Sequence, residues 1–345
     1  MKAVYLSAPG EFVTRDVPDP ELTRPNDVRL RVGAVGVCGS DLHYYRTGRI
    51  GSQVLTEPWI MGHECMATVE SVGAEVQGLA PGDRVAVEPL TACGSCDQCR
   101  SGRANTCRKQ LFLGCPNQQH GCMCQLLVMP AACCFRVPAH LSDGAAVMVE
   151  PFAIGLHAQR LWGSAEGKAV AVLGAGPVGL CVLAALRLAG ASAVAMTDRL
   201  GYRLDMARAL GASSTHHSER SDVVREIEQA HPNGVAAVFD CSGEQAALDQ
   251  SLALLAPGGS LVVVGIPEID RVSFDINALR RKEIAIINVR RQNECTEDAV
   301  DLLSRGAVDL DPVITHHFGL SESAAAYHLV ANYRDSVEKA LIHFD

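Results

Sequence analysis

The sequence predicts an α/β protein of two domains, a β-rich catalytic domain and a doubly wound parallel-sheet domain. Three observations carry that expectation. Residues 1–152 read as short β-rich segments separated by Gly and Pro, among them VRLRVGAVGVCG, MATVESVG and DRVAVEP. From about Gly167 apolar strands alternate with helical stretches, the order that builds a parallel sheet with helices on its faces. Beyond residue 290 this rhythm stops, so residues 291–345 are assigned back to the first domain and the parallel sheet is confined to 153–290. A chain of 345 residues is long enough for two such cores.

Within 153–290 the elements follow at short spacing. Ala169 to Leu173 is an apolar strand, then come a glycine turn and an Ala/Leu-rich helix to about Ala189. Ser192 to Thr197 supplies the next strand and completes a βαβ unit. A helix over Tyr202 to Leu210, a strand over Ala236 to Asp240 and a helix over Gln245 to Leu255 continue the pattern. Ala256-Pro-Gly-Gly259 reads as a turn, and Ser260 to Gly265 as the strand after it. Ile284 to Val289 is the last apolar strand, with helices near Glu297 to Ser304 and from Glu322 in the returning segment.

Composition narrows the function. A formal net charge of -9 disfavours nucleic acid and anionic membrane surfaces, since both are polyanions, and leaves small molecules as the expected partners. No continuous apolar stretch follows the N-terminal MKAVYLSAPGEF, and no window reaches the roughly 18 apolar residues of a membrane span, so a soluble, cytoplasmic protein is expected. In such a reducing compartment the fourteen cysteines are expected as metal ligands or buried thiols rather than disulfides.

Gly174-Ala-Gly-Pro-Val-Gly179 is a G-x-G-x-x-G lying directly after a strand and opening a helix. Gly174 allows the tight turn, Gly176 lets backbone approach a pyrophosphate, and Gly179 lets helix and strand pack closely. Asp198 ends the next strand 19 residues beyond Gly179, placed to accept hydrogen bonds from the adenosine ribose and to repel a 2'-phosphate. NAD is therefore expected over NADP, a preference that Arg199 weakens.

Two groups of metal-ligating residue types stand out. Cys93-x2-Cys96-x2-Cys99-x7-Cys107 places four thiols within fifteen residues, a set suited to tetrahedral zinc. Such a site is closed and structural, holding a lobe too poor in apolar residues to fold by packing alone. Cys38 in GVCGSDLHYY, His63 and Glu64 in GHE and Glu150 in VEP form a more dispersed group. One thiolate, one imidazole and one or two carboxylates leave a metal position open for water or an alcohol, as catalysis requires.

Taken together, GVCGSDLHYY, GHE, the four-cysteine lobe, VEPFAIGLHA and GAGPVG resemble the zinc-containing medium-chain alcohol dehydrogenases, and among them the sorbitol/xylitol (polyol) branch. The likeness runs essentially end to end. It implies a GroES-like catalytic domain beside a Rossmann domain, NAD and two Zn2+ per subunit, a homodimer or homotetramer, and oxidation of a secondary hydroxyl to a ketone. By the same resemblance Cys38, His63 and Glu64 ligate catalytic zinc, Glu150 sits beside its water, and Ser40 relays the alcohol proton, with His43 extending the relay. Tyr44 and Arg290 match substrate contacts, as Glu150 does. Gly174, Gly176, Val178, Gly179, Asp198 and Arg203 match cofactor contacts, as do Val264, Gly265 and Ile266 and the run Val289, Arg290 and Arg291 around the nicotinamide.

Two departures bear on the substrate. Cys115-Pro-Asn-Gln-Gln-His-Gly121 stands where a Pro-Pro-Asp-Asp-Gly-like loop is frequent, and Arg291 where an aromatic residue is frequent. An extra guanidinium pairs well with a carboxylate, so a sugar acid such as an aldonate stays open beside a neutral polyol. A non-catalytic sensor of NAD redox state would carry a broken catalytic ligand set, and none of the three ligands is missing. The paired histidines 216–217 and 316–317 read as surface or structural, and Cys122, Cys124, Cys133 and Cys134 as buried small residues.

Overall fold

Strand Asp27–Gly36 alternates buried Val28, Leu30 and Val32 with Arg29 and Arg31, then becomes buried on both faces at Ala34, Val35 and Gly36. That change from one-sided to two-sided burial marks the end at which the metal-ligating residues gather. In the computed structural model, which describes residues 1–344, the strand lies within one of two units. The first unit comprises Met1–Glu150 and the chain from Thr296 onward; the second is Pro151–Cys295.

The main sheet of the first unit runs, in spatial order, Cys134–Arg136, Arg84–Val87, Glu64–Val72, Asp27–Gly36, Lys339–His343 and Ile314–Gly319, and Leu126–Pro130 also pairs with Asp27–Gly36. Lys339–His343 lies antiparallel to Asp27–Gly36, with Leu341 opposite Gly36, while Glu64 faces Gly36 from the other side. The returning segment thus contributes strands to the first sheet, which is why it lacks the βα rhythm. One apolar cluster, including Leu30, Val35, Met61, Met123, Tyr327 and Ile342, fills this unit.

Three helices lie in the segment that reads as β-rich, the shortest being the single turn Asp97–Arg100. Gly39–Thr47 is short and closes on Gly48 in a left-handed conformation, φ 73°. Asp143–Trp162 carries Pro151 in its interior, the residue type that reads as a helix break in sequence, and its start is capped by Ser142 Oγ accepting from the Ala145 amide at 2.9 Å.

The second unit is a six-stranded, wholly parallel Rossmann sheet ordered Ser214–His217, Ala193–Asp198, Ala169–Leu173, Val235–Asp240, Leu255–Val263 and Ala285–Asn288. Numbered along the chain this is 3-2-1-4-5-6, with the order reversing beside Ala169–Leu173 at the strand that leads into the glycine turn. Ser214–His217 has no apolar run to announce it; backbone pairing to Ala193–Asp198 alone makes it a strand. The expected turn at 256–259 is instead part of strand Leu255–Val263, absorbed where the register to Val235–Asp240 shifts and Gly258 takes φ 77°. Among the described residues no helix is long and apolar enough to cross a membrane.

Candidate metal and dinucleotide sites

Sheet register explains how the first group of ligands assembles. Glu64 opens its strand opposite Gly36, His63 immediately precedes it, and Cys38 follows Gly36 by two residues at the start of helix Gly39–Thr47. One donor atom each from Cys38, His63 and Glu64 lies within 4.8 Å of the others, close enough for one ion to touch all three. His63 and Glu64 are buried and Cys38 is half-buried. Lys339, two residues before Leu341 and on the same face of its strand, reaches diagonally over Gly36 to form an ion pair with Glu64. Both side chains are almost fully buried. A Cβ on Gly36 would overlap the Glu64 carboxylate and crowd Val147 and the Lys339 stem, so only glycine leaves room for the pair.

Ser40 and Tyr44 lie one turn apart on the same helix and therefore on one face. Ser40 Oγ donates to Cys38 Sγ at 3.2 Å and lies 3.3 Å from His63 Nε2, so it borders the ligand set directly. Tyr44 donates its hydroxyl to Gln53 Oε1 at 3.3 Å and sits 3.8 Å from Cys115 Sγ, which brings the departing loop that begins at Cys115 beside this helix face. Phe112 lies 5.3 Å, ring centre to ring centre, from His63. His43 is half-buried on the same helix.

The electrostatics follow from burial of many charges together. Burial pushes the Glu150 carboxyl up to about 8; His63 and Lys339 oppose that rise, and Glu64 and Glu88 add to it. Glu150 reaches this cluster because it is three residues beyond Val147, whose side chain faces Gly36, on one helix. One oxygen of Glu150 is buried without a hydrogen-bond donor, the condition a cation would relieve. Burial, reinforced by Glu64, also raises the Cys38 thiol. Burial alone would discharge His63, yet Asp41 and Cys38 hold its imidazole well above its usual value. Donor types, their spacing and the orphaned Glu150 oxygen beside them fit a divalent ion such as zinc.

Sequence reasoning missed three residues here. Asp41 Oδ1 lies 3.3 Å from His63 Nδ1, Lys339 pairs with Glu64, and Glu88 accepts from the Thr296 hydroxyl at 2.7 Å and from the Leu90 amide at 3.0 Å. An acid in a helix's first turn reads as ordinary dipole matching, which hides Asp41. The one usable signal is Lys339 at the head of the apolar strand Lys339–His343.

The four-cysteine lobe is gathered as its spacing predicts. Its sulfurs lie 3.5 Å apart for Cys96–Cys99, 3.9 Å for Cys96–Cys107 and 4.0 Å for Cys93–Cys99. Thiolates at 2.3 Å from a tetrahedral zinc stand about 3.8 Å apart, so the set fits one ion. Amides of Cys93 and Lys109 point at Cys107 Sγ, and hydrogen bonds from Ser95 pull the Cys93 thiol down to about 6, while burial carries Cys99 up to about 12. Arg108 closes the lobe with two hydrogen bonds to Asp97, at 2.6 and 2.8 Å. Cys122, Cys124, Cys133 and Cys134 are buried thiols elsewhere in the same unit.

In the second unit Gly174 takes φ 103°, giving the turn its sharpness, and its amide donates to the Thr197 carbonyl at 2.9 Å. Gly176 caps helix Pro177–Leu188, which carries Val178 and Gly179 in its first turn, and the Arg203 guanidinium lies against Gly176. Asp198 is buried at the end of its strand, accepting from the Ala175 amide and the Leu200 amide at 2.9 Å each, with Arg203 3.8 Å away. The carboxylate is thus fixed by the glycine turn itself, with lone pairs to spare for a ribose. Val264 and Gly265 amides donate to the Asp240 carbonyl, each at 2.8 Å, and Ile266 follows them. Val289 donates to Val263 at 2.9 Å, and Arg290 and Arg291 follow, the latter at φ 53°.

A Cβ on Gly179 would overlap the Gly174 carbonyl oxygen, with helix backbone on one side and the turn on the other. Gly179→Ala is therefore expected to cost about 1–3 kcal/mol of stability and to weaken dinucleotide binding by roughly tenfold or more. Calorimetric titration with NAD together with a thermal melt checks this; unaltered affinity would contradict the close packing.

Two family models match the chain. The alcohol dehydrogenase GroES-like domain matches residues 24–139, and the zinc-binding dehydrogenase model matches residues 177–305. Sorbitol dehydrogenase of Bacillus subtilis (strain 168) is 33% identical over 344 residues, spanning 99% of this chain and 97% of the relative. L-idonate 5-dehydrogenase of Vitis vinifera is 33% identical over 303 residues, 86% of this chain and 82% of the relative. Among solved structures, a zinc-binding dehydrogenase from Sinorhizobium meliloti 1021 bound to NADP superposes with a TM-score of 0.91 at 30% identity, covering 99% of each chain.

Proposed function

The chain belongs to the zinc-containing medium-chain alcohol dehydrogenases, and from that premise we propose that it oxidises one secondary hydroxyl of a polyol to a ketone with NAD as hydride acceptor. The observation that carries the reading is the convergence of Cys38, His63 and Glu64 with the Ser40 hydroxyl against them. Cys38, His63 and Glu64 would hold zinc, which would supply the Lewis acidity to make an alcohol hydroxyl acidic near neutral pH. Ser40 takes the hydroxyl proton and passes it to solvent, with His43 on the same helix extending the path. NAD held by the second unit would supply the two-electron acceptor, so that secondary alcohol and NAD would give ketone, NADH and one proton. Glu150 is a buried carboxyl beside His63 and Glu64, placed to accept a hydrogen bond from a water or alcohol at the metal position. Tyr44, oriented by Gln53, meets the substrate's distal hydroxyls.

On this reading each subunit carries two zinc ions, the second held by Cys93, Cys96, Cys99 and Cys107 and purely structural. Gly174, Gly176, Val178, Gly179, Asp198, Arg203, Val264, Gly265, Ile266 and Val289 bind the dinucleotide. The fixed carboxylate of Asp198 favours NAD over the NADP held by the Sinorhizobium relative. A second substrate class, an aldonate, is favoured by adjacent Arg290 and Arg291 and by the likeness to L-idonate 5-dehydrogenase. Strand Ala285–Asn288 is an edge of the parallel sheet with Ile286 37% exposed, which supports a homo-oligomer, dimer or tetramer, covering that edge. A cytoplasmic location suits fourteen cysteines read as metal ligands or buried thiols.

The test is NADH formation from NAD across a panel of polyols, aldonates and simple secondary alcohols, with and without a strong zinc chelator. Chelator-sensitive oxidation of neutral polyols is the expected result. Preference for aldonates moves the assignment to the arginine pair, and inactivity on the whole panel by a zinc- and NAD-loaded protein overturns the reading.

A further inference from the structure

Tyr327, on helix Ser323–Ala331, is fully buried, and its hydroxyl donates to Asp41 Oδ2 at 3.2 Å across 286 residues of sequence. The other oxygen of Asp41 faces His63 Nδ1 at 3.3 Å, and His63 Nε2 faces Ser40 Oγ at 3.3 Å. Asp41 is 1% exposed and His63 5%. A chain of hydrogen-bonding groups therefore runs from the returning segment to the imidazole of the ligand set, closed off from solvent.

We propose that Tyr327 is a positioning residue: its hydroxyl fixes the Asp41 carboxylate, and through it the His63 ring, so that this imidazole stays set for the metal. The proposal rests on the reading of Cys38, His63 and Glu64 as a metal site. The Tyr327 ring is already held by Phe12, 4.7 Å away between centres, and by Tyr45, 5.8 Å away. Packing alone would be served by phenylalanine, and a hydroxyl taken into such surroundings costs stability unless it is paired. Pairing it with Asp41 supplies a buried carboxylate with a donor on each oxygen and fixes its plane. With that plane set, Nδ1 of His63 keeps its proton toward Asp41 and Nε2 presents its lone pair on the Cys38 and Ser40 side. Burial and the Asp41 charge both push the Tyr327 phenol well above its ordinary range, so it remains a donor.

The test compares the zinc-loaded full chain with its Tyr327→Phe variant, which keeps the ring and deletes only the hydroxyl. Zinc release to an excess of chelator is followed over time, and the visible spectrum is recorded after cobalt replaces the catalytic zinc. Expected is release of one of two zinc ions about tenfold faster, a changed cobalt spectrum, and unchanged release of the ion held by the four cysteines. Unchanged release and spectrum overturn the proposal, as does equal loss of both ions with a lowered thermal midpoint, which would mark a packing defect. Tyr327→Leu, which removes the ring as well, reports what such a defect looks like. Cys38→Ala separates the proposal from its premise: if that variant binds as much zinc as the parent, the metal assignment itself fails and the proposal falls with it.

Discussion

Cys38→Ala is expected to reduce kcat/KM by about a thousandfold or more, because several kcal/mol of transition-state stabilisation depend on an ion that loses a thiolate ligand. NAD binding should be unaltered, since the glycine turn, Asp198 and Arg203 all lie in the other unit. Zinc content should fall from two ions per chain to one, the survivor being held by the cysteine lobe. Steady-state kinetics, metal analysis and NAD titration on the same preparation separate these statements. Retained turnover would remove the ligand role of Cys38, whereas lost NAD binding would mean that the substitution had damaged the fold. The thiol sits at the positive end of helix Gly39–Thr47, which favours its charged form once a cation is present, although burial raises it otherwise.

Lys339→Met is the second large effect. The ammonium is 2% exposed and pairs with a carboxylate 1% exposed, so in the zinc-free protein deleting the charge leaves Glu64 uncompensated in the interior. Breaking such a pair costs about 3–5 kcal/mol. Methionine fills most of the volume, so the loss is electrostatic. Denaturant unfolding of the single variants and of Lys339→Met with Glu64→Gln checks this: the double variant should recover much of the loss, since its neutral amide no longer needs a counter-charge. A double variant as unstable as the sum of the singles would mean that the two side chains do not act as a pair.

The sequence made the second unit easier to read than the first. Strands such as Ala169–Leu173 and Ala193–Asp198 are buried on both faces, so their apolar runs stand out, and the glycine turn and Asp198 fall at fixed offsets from them. Ser214–His217 escaped because an edge strand is made by backbone pairing, and its side chains are half-buried and polar. In the first unit the four cysteines were legible from spacing alone, since their sulfurs are gathered by a short local loop. Cys38, His63 and Glu64 were legible as residue types, yet only the sheet register through Gly36 brings them into one place. Asp41 and Tyr327 were not legible, because each has an ordinary local reading and they meet across 286 residues of sequence, while Lys339 stood out only as a charge heading an apolar strand, with nothing local to name Glu64 as its partner. Pro151 likewise concealed helix Asp143–Trp162, and with it the reason that Glu150 reaches the cluster.

The strand carrying Lys339 and the helix carrying Tyr327 also have a consequence for biosynthesis. Asp41 and Glu64 leave the ribosome long before either partner, and the entire parallel-sheet unit is made in between. A nascent chain can complete the NAD fold while the sheet around Asp27–Gly36 still lacks the strand that flanks Gly36. Until those segments arrive, Glu64 lacks Lys339 and Asp41 lacks the Tyr327 hydroxyl, so the surroundings of Cys38, His63 and Glu64 are completed only then. The cysteine lobe, complete by Cys107, has no such delay. Under the proposed metal assignment, translation itself sets the order in which the two groups of ligands are completed, and a chain interrupted before Lys339 carries the parallel-sheet unit without the partner of Glu64.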